Sequence, residues 1–203
     1  KTVKGRIMAA TDKRIIKTKK GIKAAFHELL KKDSFEHITV TDICNESTTS
    51  RITFYNYYED KYALVEEIFD EYVNEALDDY HRLQKENNPD LKDIIGYNNM
   101  LTAIINLCEN HYDFFSAARS DINPYLYSGF YNKVFDQAVT YIHHHNSMMR
   151  PKYPVSQTVA LLCNGLWGVI SETMTDRSDA NRVYENIFSL YNDILNSNLF
   201  IKR

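Results

Sequence analysis

One stretch, Thr39 to Leu64 (TVTDICNESTTSRITFYNYYEDKYAL), restricts the fold more than any other part of the chain. Thr39 is a good helix N-cap, and Asp42 three residues later can close a capping box. Val40, Ile43 and Cys44 fall at i, i+3 and i+4 and make one apolar face, so the spacing predicts a two-turn helix to about Glu46. Ser47, Thr48 and Thr49 form a turn. Ser50 can cap a second short helix in which Phe54 and Tyr58 share the inner face, while Arg51, Thr53, Tyr55 and Asn56 point outward. Two short helices around a tight turn, with small polar and basic groups opening the second, form a helix-turn-helix pattern.

The outward residue types suit DNA. Hydroxyls and amides bond phosphates or base edges, Arg reaches guanine bidentately, and a Tyr ring can lie on sugar while its hydroxyl bonds a phosphate. The run Thr53-Phe54-Tyr55-Asn56-Tyr57-Tyr58, followed by Asp60-Lys61 and Leu64, resembles the TFYxHF…K…L signature of TetR-family transcriptional regulators. Thr39-Val40-Thr41-Asp42-Ile43 resembles that family's TVxDIA. The resemblance covers about residues 13 to 70, a third of the chain. It departs in the turn, where the family usually carries Ala-Gly-Val-Ser and this chain carries Ser47-Thr48-Thr49-Ser50. A β-branched Thr48 in place of Gly is strained at positive φ, so a changed turn geometry is expected. Cys44 stands where Ala is usual.

The 203 residues hold 24 Lys and Arg against 27 Asp and Glu, a net charge of −3, so the molecule as a whole is no basic nucleic-acid coat. The charge is divided unevenly. Residues 1–61 carry 13 basic against 8 acidic side chains, and residues 62–203 carry 11 against 19. A basic head on an acidic body fits a head that meets phosphate. Only 6 Gly and 4 Pro interrupt helical periodicity, so an all-α fold is expected. Three widely spaced Cys supply neither a metal pair nor a disulfide framework, consistent with a cytoplasmic setting. No apolar run approaches the roughly 20 residues that span a bilayer, and no secretory apolar segment opens the chain.

Residues 1–10 lack clear periodicity and read as a disordered segment, with a basic arm or a leader as the alternatives. A first helix is expected from Thr11 or Asp12 to about Lys32, with Ile15, Ile16, Ile22, Phe26, Leu29 and Leu30 inward and Lys13, Lys17, Lys20 and Lys23 towards the other side. Phe35 and Ile38 should staple it to the next. Asp60 opens a long helix to about Leu83 that links a head, residues 1–60, to a body, residues 61–203. Lys61 in its first turn opposes the helix dipole, a cost that a bound phosphate would relieve. Lys85–Asp90 is a polar break. Helices follow from Leu91 to Glu109, Tyr112 to Ser120, and Pro124 at N1 to His145, with a loop over Asn146–Pro154. The last two helices run from Val155 to Met174 and from Asp179, as a cap, to Phe200. The first of them is apolar on most sides, and Gly165 and Gly168 allow another helix to approach, so a partner subunit is the expected cover.

Other constellations carry less. Adjacent residues of His143-His144-His145 point about 100° apart on a helix and cannot converge on one ion, so no metal site is assigned. No nucleophile elbow, P-loop or HExxH is present, which points away from an enzyme. The aromatic set Tyr97, Phe114, Phe115, Tyr125, Tyr127, Phe130, Tyr131, Phe135, Tyr141 and Trp167, with Met100 and Cys163, could line a ligand cavity, with Asn98, Asn99 and Asn164 as polar anchors. The excess of Tyr favours a pocket, because a buried phenol needs a partner.

The resemblance implies a homodimeric regulator, a repressor in first expectation, on a palindromic double-stranded operator. It implies dimerisation through the last two helices and release by a small-molecule effector bound in the body. Ser50, Arg51 and Thr53 would meet base edges, Ile52 a thymine methyl, and Thr39, Tyr55, Asn56, Tyr57 and Lys61 phosphates. The rival reading is a co-regulator of the same fold that binds a protein in place of DNA.

Overall fold

The computed structural model describes the backbone of residues 3–144, 149–175 and 180–202, and the side chains of residues 13–143, 150–172 and 185–201. The chain is all-α. The head holds α1 (Val3–Leu30), α2 (Val40–Glu46) and α3 (Arg51–Tyr55). The body holds α4 (Lys61–Asn87), α5 (Asp93–Asn110), α6 (Tyr112–Ala117), α7 (Pro124–His144), α8 (Val155–Thr175) and α9 (Ala180–Asn196).

Several boundaries differ from the sequence reading. Helix α1 already runs from Val3, through the segment expected to be disordered; the side chains of that segment lie outside the described residues. The expected loop over Asn146–Pro154 contains a three-residue strand, β1 (Met149–Pro151), paired antiparallel with β2 (Phe200–Lys202). Helix α9 accordingly stops at Asn196, where Ser197 Oγ donates to the Ile194 carbonyl at 2.6 Å. The expected cap Asp179, and His144 and His145 of the histidine run, lie outside the described side chains; His143 is exposed.

One hydrophobic cluster runs through head and body. It begins at Ile22, Phe26, Phe35, Ile43 and Phe54 and continues through Leu64, Phe69, Tyr72, Phe115 and Phe130 to Ile170 and Ile187. The helical members are buried because their spacing puts them on an inner stripe, and Phe35 reaches the same core from the loop between α1 and α2. The polar break after α4 is an ordered hairpin turn: buried Asn88 donates to Gln84 Oε1 and to the Lys92 carbonyl, both at 3.0 Å, and accepts from the Lys92 N–H at 2.8 Å. Helix α7 lies close on α4. A Cβ at Gly129 would fall 2.6 Å from a ring carbon of Phe69, so only Gly permits this approach.

Candidate nucleic-acid interface and body cavity

The helix-turn-helix is held by its own local hydrogen bonds. Thr39 Oγ1 accepts the Asp42 N–H at 3.2 Å and Asp42 Oδ2 accepts the Thr39 N–H at 2.9 Å, which closes the capping box. The Thr39 hydroxyl, which donates to Asp42 Oδ2 at 2.5 Å, and then the Thr39 N–H hold the Asp42 carboxyl below the usual carboxylate range. At the other end of α2 the Thr48 N–H donates to the Asn45 carbonyl at 3.2 Å and the Thr49 N–H to the Cys44 carbonyl at 2.9 Å. Those two bonds make a Schellman turn, whose C′ residue sits in the left-handed region. Thr48 occupies that position with φ 54°. The turn geometry expected to change is therefore kept, and the β-branched residue takes up the strain.

Ser50 then caps α3 by accepting the Thr53 N–H at 3.1 Å. Phe54 and Tyr58 point into the core, fully buried. The opposite face is open: Ile52 is 78% exposed and Tyr55 55% exposed, with Ser50, Arg51 and Asn56 exposed beside them and Thr53 and Tyr57 half-buried. The Arg51 guanidinium donates to Thr41 Oγ1 at 2.6 Å, a surface bond that leaves most of its donor fork free to face a ligand. An apolar side chain ringed by hydroxyl, amide and guanidinium groups on a protruding helix matches the mixed edges of a major groove.

The lysines divide into two sets. Lys19 bonds Glu67 of α4 at 2.5 Å, and Lys23 pairs with both Glu67 and Glu71. Lys23 thus faces α4 and not the outer side expected of it. Lys13, Arg14, Lys17 and Lys20 are exposed and make no ion pair among the described residues. Lys61 corrects the sequence reading. Its ammonium donates to the carbonyls of Phe35 at 2.7 Å, Glu36 at 3.0 Å and Ile38 at 2.9 Å, which uses all three of its protons. It also lies 4.4 Å above the Phe35 ring centroid. Burial holds its pKa below the ordinary lysine value. The unfavourable dipole position is offset inside the fold, and Lys61 leaves the phosphate set.

Behind Lys61, the head rests on the body. The Phe35 N–H donates to Oδ1 of buried Asn123 at 2.6 Å, and the Phe35 ring stacks on Tyr125 at 5.0 Å. Nearby, the Tyr72 hydroxyl lies 3.2 Å from His27 Nε2, and His111 Nε2 lies 2.7 Å from Glu75. Burial, reinforced by His111 and Lys31, lowers the His27 pKa to about 4. Sequence reading missed this seam, because its partners lie 36 to 88 residues apart.

The body contains a cavity of about 330 Å³ between α4, α5, α7, α8 and α9. Of the residues expected to line it, Tyr97, Met100, Phe130, Tyr131, Cys163 and Trp167 do so. Phe114 does not: it is buried in the packing of His27, Phe69 and Tyr72. Tyr127 stands outside against Tyr131 and Trp167, its hydroxyl 3.4 Å from Asn164 Oδ1. The three Asn anchors are also elsewhere. Asn99 bridges Gln84 and Asn87, Asn98 bonds Asn192, and Asn164 is exposed. Tyr141, also expected there, lines it too, whereas sequence reading missed Val134, Ala138 and Ile142 of α7. With Phe130 they follow helical spacing, a signal that was legible.

No protein-family model matches the sequence, and no curated protein matches it. Solved structures do. A TetR transcriptional regulator from Streptococcus agalactiae is similar over 90% of this chain and 98% of its own, with a TM-score of 0.59 and 21% identity. A TetR-family transcriptional regulator from Syntrophomonas wolfei is similar over 90% of this chain and 97% of its own, with a TM-score of 0.68 and 11% identity. The chain therefore has the fold of TetR-family transcriptional regulators. No helix among the described residues is long and apolar enough to cross a membrane.

Proposed function

We propose that this chain is a DNA-binding transcriptional regulator: a homodimeric repressor on a palindromic operator, released when a small molecule occupies the body cavity. The observation that carries the reading is the open face of α3, with Ile52 and Tyr55 exposed between Arg51 and Asn56. An isolated monomer gains nothing from such a protruding mixed surface, whereas a major groove offers a partner for each group. The unpaired cations of α1 add phosphate contacts. The homodimer reading rests on α8 and α9. Leu161 is 58% and Leu190 48% exposed, and a Cβ at Gly165 or Gly168 would meet nothing within 4 Å of this chain. That leaves room for a second copy's helix, and a two-fold dimer suits half-sites one turn apart. The co-regulator reading drew on the missing Gly at position 48. Thr48 keeps the Schellman geometry, which removes that ground and leaves the alternative only the acidic body.

The test is titration of the purified protein with DNA from its own promoter region and with scrambled DNA, across a salt series. Sequence-selective binding that weakens by roughly 10³–10⁵ between 50 and 200 mM salt supports the proposal; equal binding to both DNAs, or none, refutes it. Arg51→Ala should weaken selective binding by about 1–3 kcal/mol and relax one base position. Unchanged affinity and selectivity would remove Arg51 from the interface.

A further inference from the structure

We infer that the body cavity takes an uncharged, mainly aromatic or aliphatic molecule and rejects ions of the same shape. This rests on the reading of the cavity as an effector site, and it narrows that reading to a ligand class. Among the described residues that line the cavity there is no Asp, Glu, Lys, Arg or His. The wall is built from side chains such as Met100, Ile104, Phe130, Leu166, Trp167 and Ile170.

The polar groups in the wall do not offer a charge partner. The Tyr131 hydroxyl accepts from Asn164 Nδ2 at 2.8 Å, and the Tyr141 hydroxyl is 2.6 Å from that of Tyr80. Burial pushes the Cys163 thiol up to about 11, so it is neutral at physiological pH. An ionic ligand would lose its hydration here and gain no counter-ion. A neutral ring system loses little water and gains contact with every wall, and flexible Met100 can adjust to its outline. The volume lies at the lower end of the roughly 300–1,000 Å³ filled by drug-sized ligands, which points to two or three rings.

The chain contains a single Trp, and it lines this cavity, so intrinsic fluorescence reports occupancy directly. The probes are a matched pair: N-phenylnaphthylamine, which is neutral, and anilinonaphthalenesulfonate, the same ring skeleton carrying an anion. The neutral probe should change Trp167 emission saturably at one molecule per chain, and the sulfonate should bind about tenfold or more weaker. Ala138→Phe, which fills the cavity from α7, should weaken the neutral probe about tenfold while the far-ultraviolet dichroism stays unchanged. Sulfonate binding as tight as the neutral probe overturns the inference. So does absence of saturable neutral binding, or binding indifferent to a folded Ala138→Phe variant. If that variant does not fold, the pair of probes on the natural chain decides alone. Promoter binding is measured separately, with and without the neutral probe. Tight probe binding that leaves DNA affinity unchanged overturns the effector role and keeps the ligand class. Intact DNA binding with no probe binding overturns the ligand class and keeps the regulator.

Discussion

Thr48→Gly should stabilise this protein, although it removes a side chain. Thr48 sits at φ 54°, where an L-residue's Cβ crowds the backbone at about 1–2 kcal/mol. The β-branch places Thr at the upper end of that range. The side chain is exposed and makes no hydrogen bond among the described residues, so its loss removes nothing in compensation. Gly carries a larger entropy in the unfolded chain, which returns about 0.5–1 kcal/mol of the gain. The net expectation is about 1–1.5 kcal/mol, a rise in Tm of about 2–4 °C for a chain of this length. Thermal and urea unfolding at one fixed protein concentration are the assays, since the proposed dimerisation would make Tm concentration-dependent. The urea slope should not change. Thr48→Ala keeps a Cβ at the same φ and should stay near the natural protein. A Thr48→Gly variant that melts lower, or an Ala variant that gains as much as Gly, would refute the strain argument.

Three further outcomes follow from the packing. Lys61→Met should lower stability by about 2–3 kcal/mol, because three carbonyls lose their donor. It should leave the salt dependence of DNA binding untouched, whereas a phosphate contact from each subunit would shift the logarithmic slope by about 1.8. His27 makes the fold sensitive to acid. Its pKa falls from 6.5 to about 4 on folding, so between those values the unfolded chain binds the proton and the folded chain does not. Its contribution is complete above pH 6.5 and shrinks by up to roughly 3 kcal/mol on descent to pH 4. Stability against pH for His27→Gln should be flatter over that window, and parallel curves would sink the assignment. Gly129→Ala should cost about 1–3 kcal/mol, since its methyl meets the Phe69 ring, read by urea unfolding.

What the sequence made legible is what local hydrogen bonding controls. Thr39 with Asp42, and Ser50 with Thr53, are partners three residues apart, and the open face of α3 follows from the period once Phe54 and Tyr58 are placed inside. Lys61 was misread because its acceptors lie 23 to 26 residues upstream, in the loop that ends α1. Its position at a helix N-terminus shows that something must offset the dipole but not whether that is a phosphate or the fold's own carbonyls. Phe114 and Tyr127 were misplaced for a related reason. Aromatic content says that rings are buried together, and only the tertiary packing says which wall they face. The strand pair joins residues about 50 apart and three long, below what any local pattern can signal.

The non-local contacts also make the head dependent on the body. Phe35 belongs to the loop that positions α2, and it rests on Asn123 and Tyr125 at the N-terminal end of α7. The same helix carries Phe130, Val134 and Ala138 in the cavity wall. From Tyr125 to Ala138 a helix rises roughly 20 Å as one stiff element. A ligand that displaces the cavity end of α7 must therefore either bend it, against the contact of Gly129 with Phe69, or move Tyr125 under Phe35. Bending a packed helix at a position with no room for a Cβ is the costlier choice. If an effector fills the cavity as proposed, movement at the Phe35 seam would be the path by which occupancy reaches α2 and α3, and Lys61, bonded to the carbonyls of Phe35, Glu36 and Ile38, would carry it into the start of α4 as well.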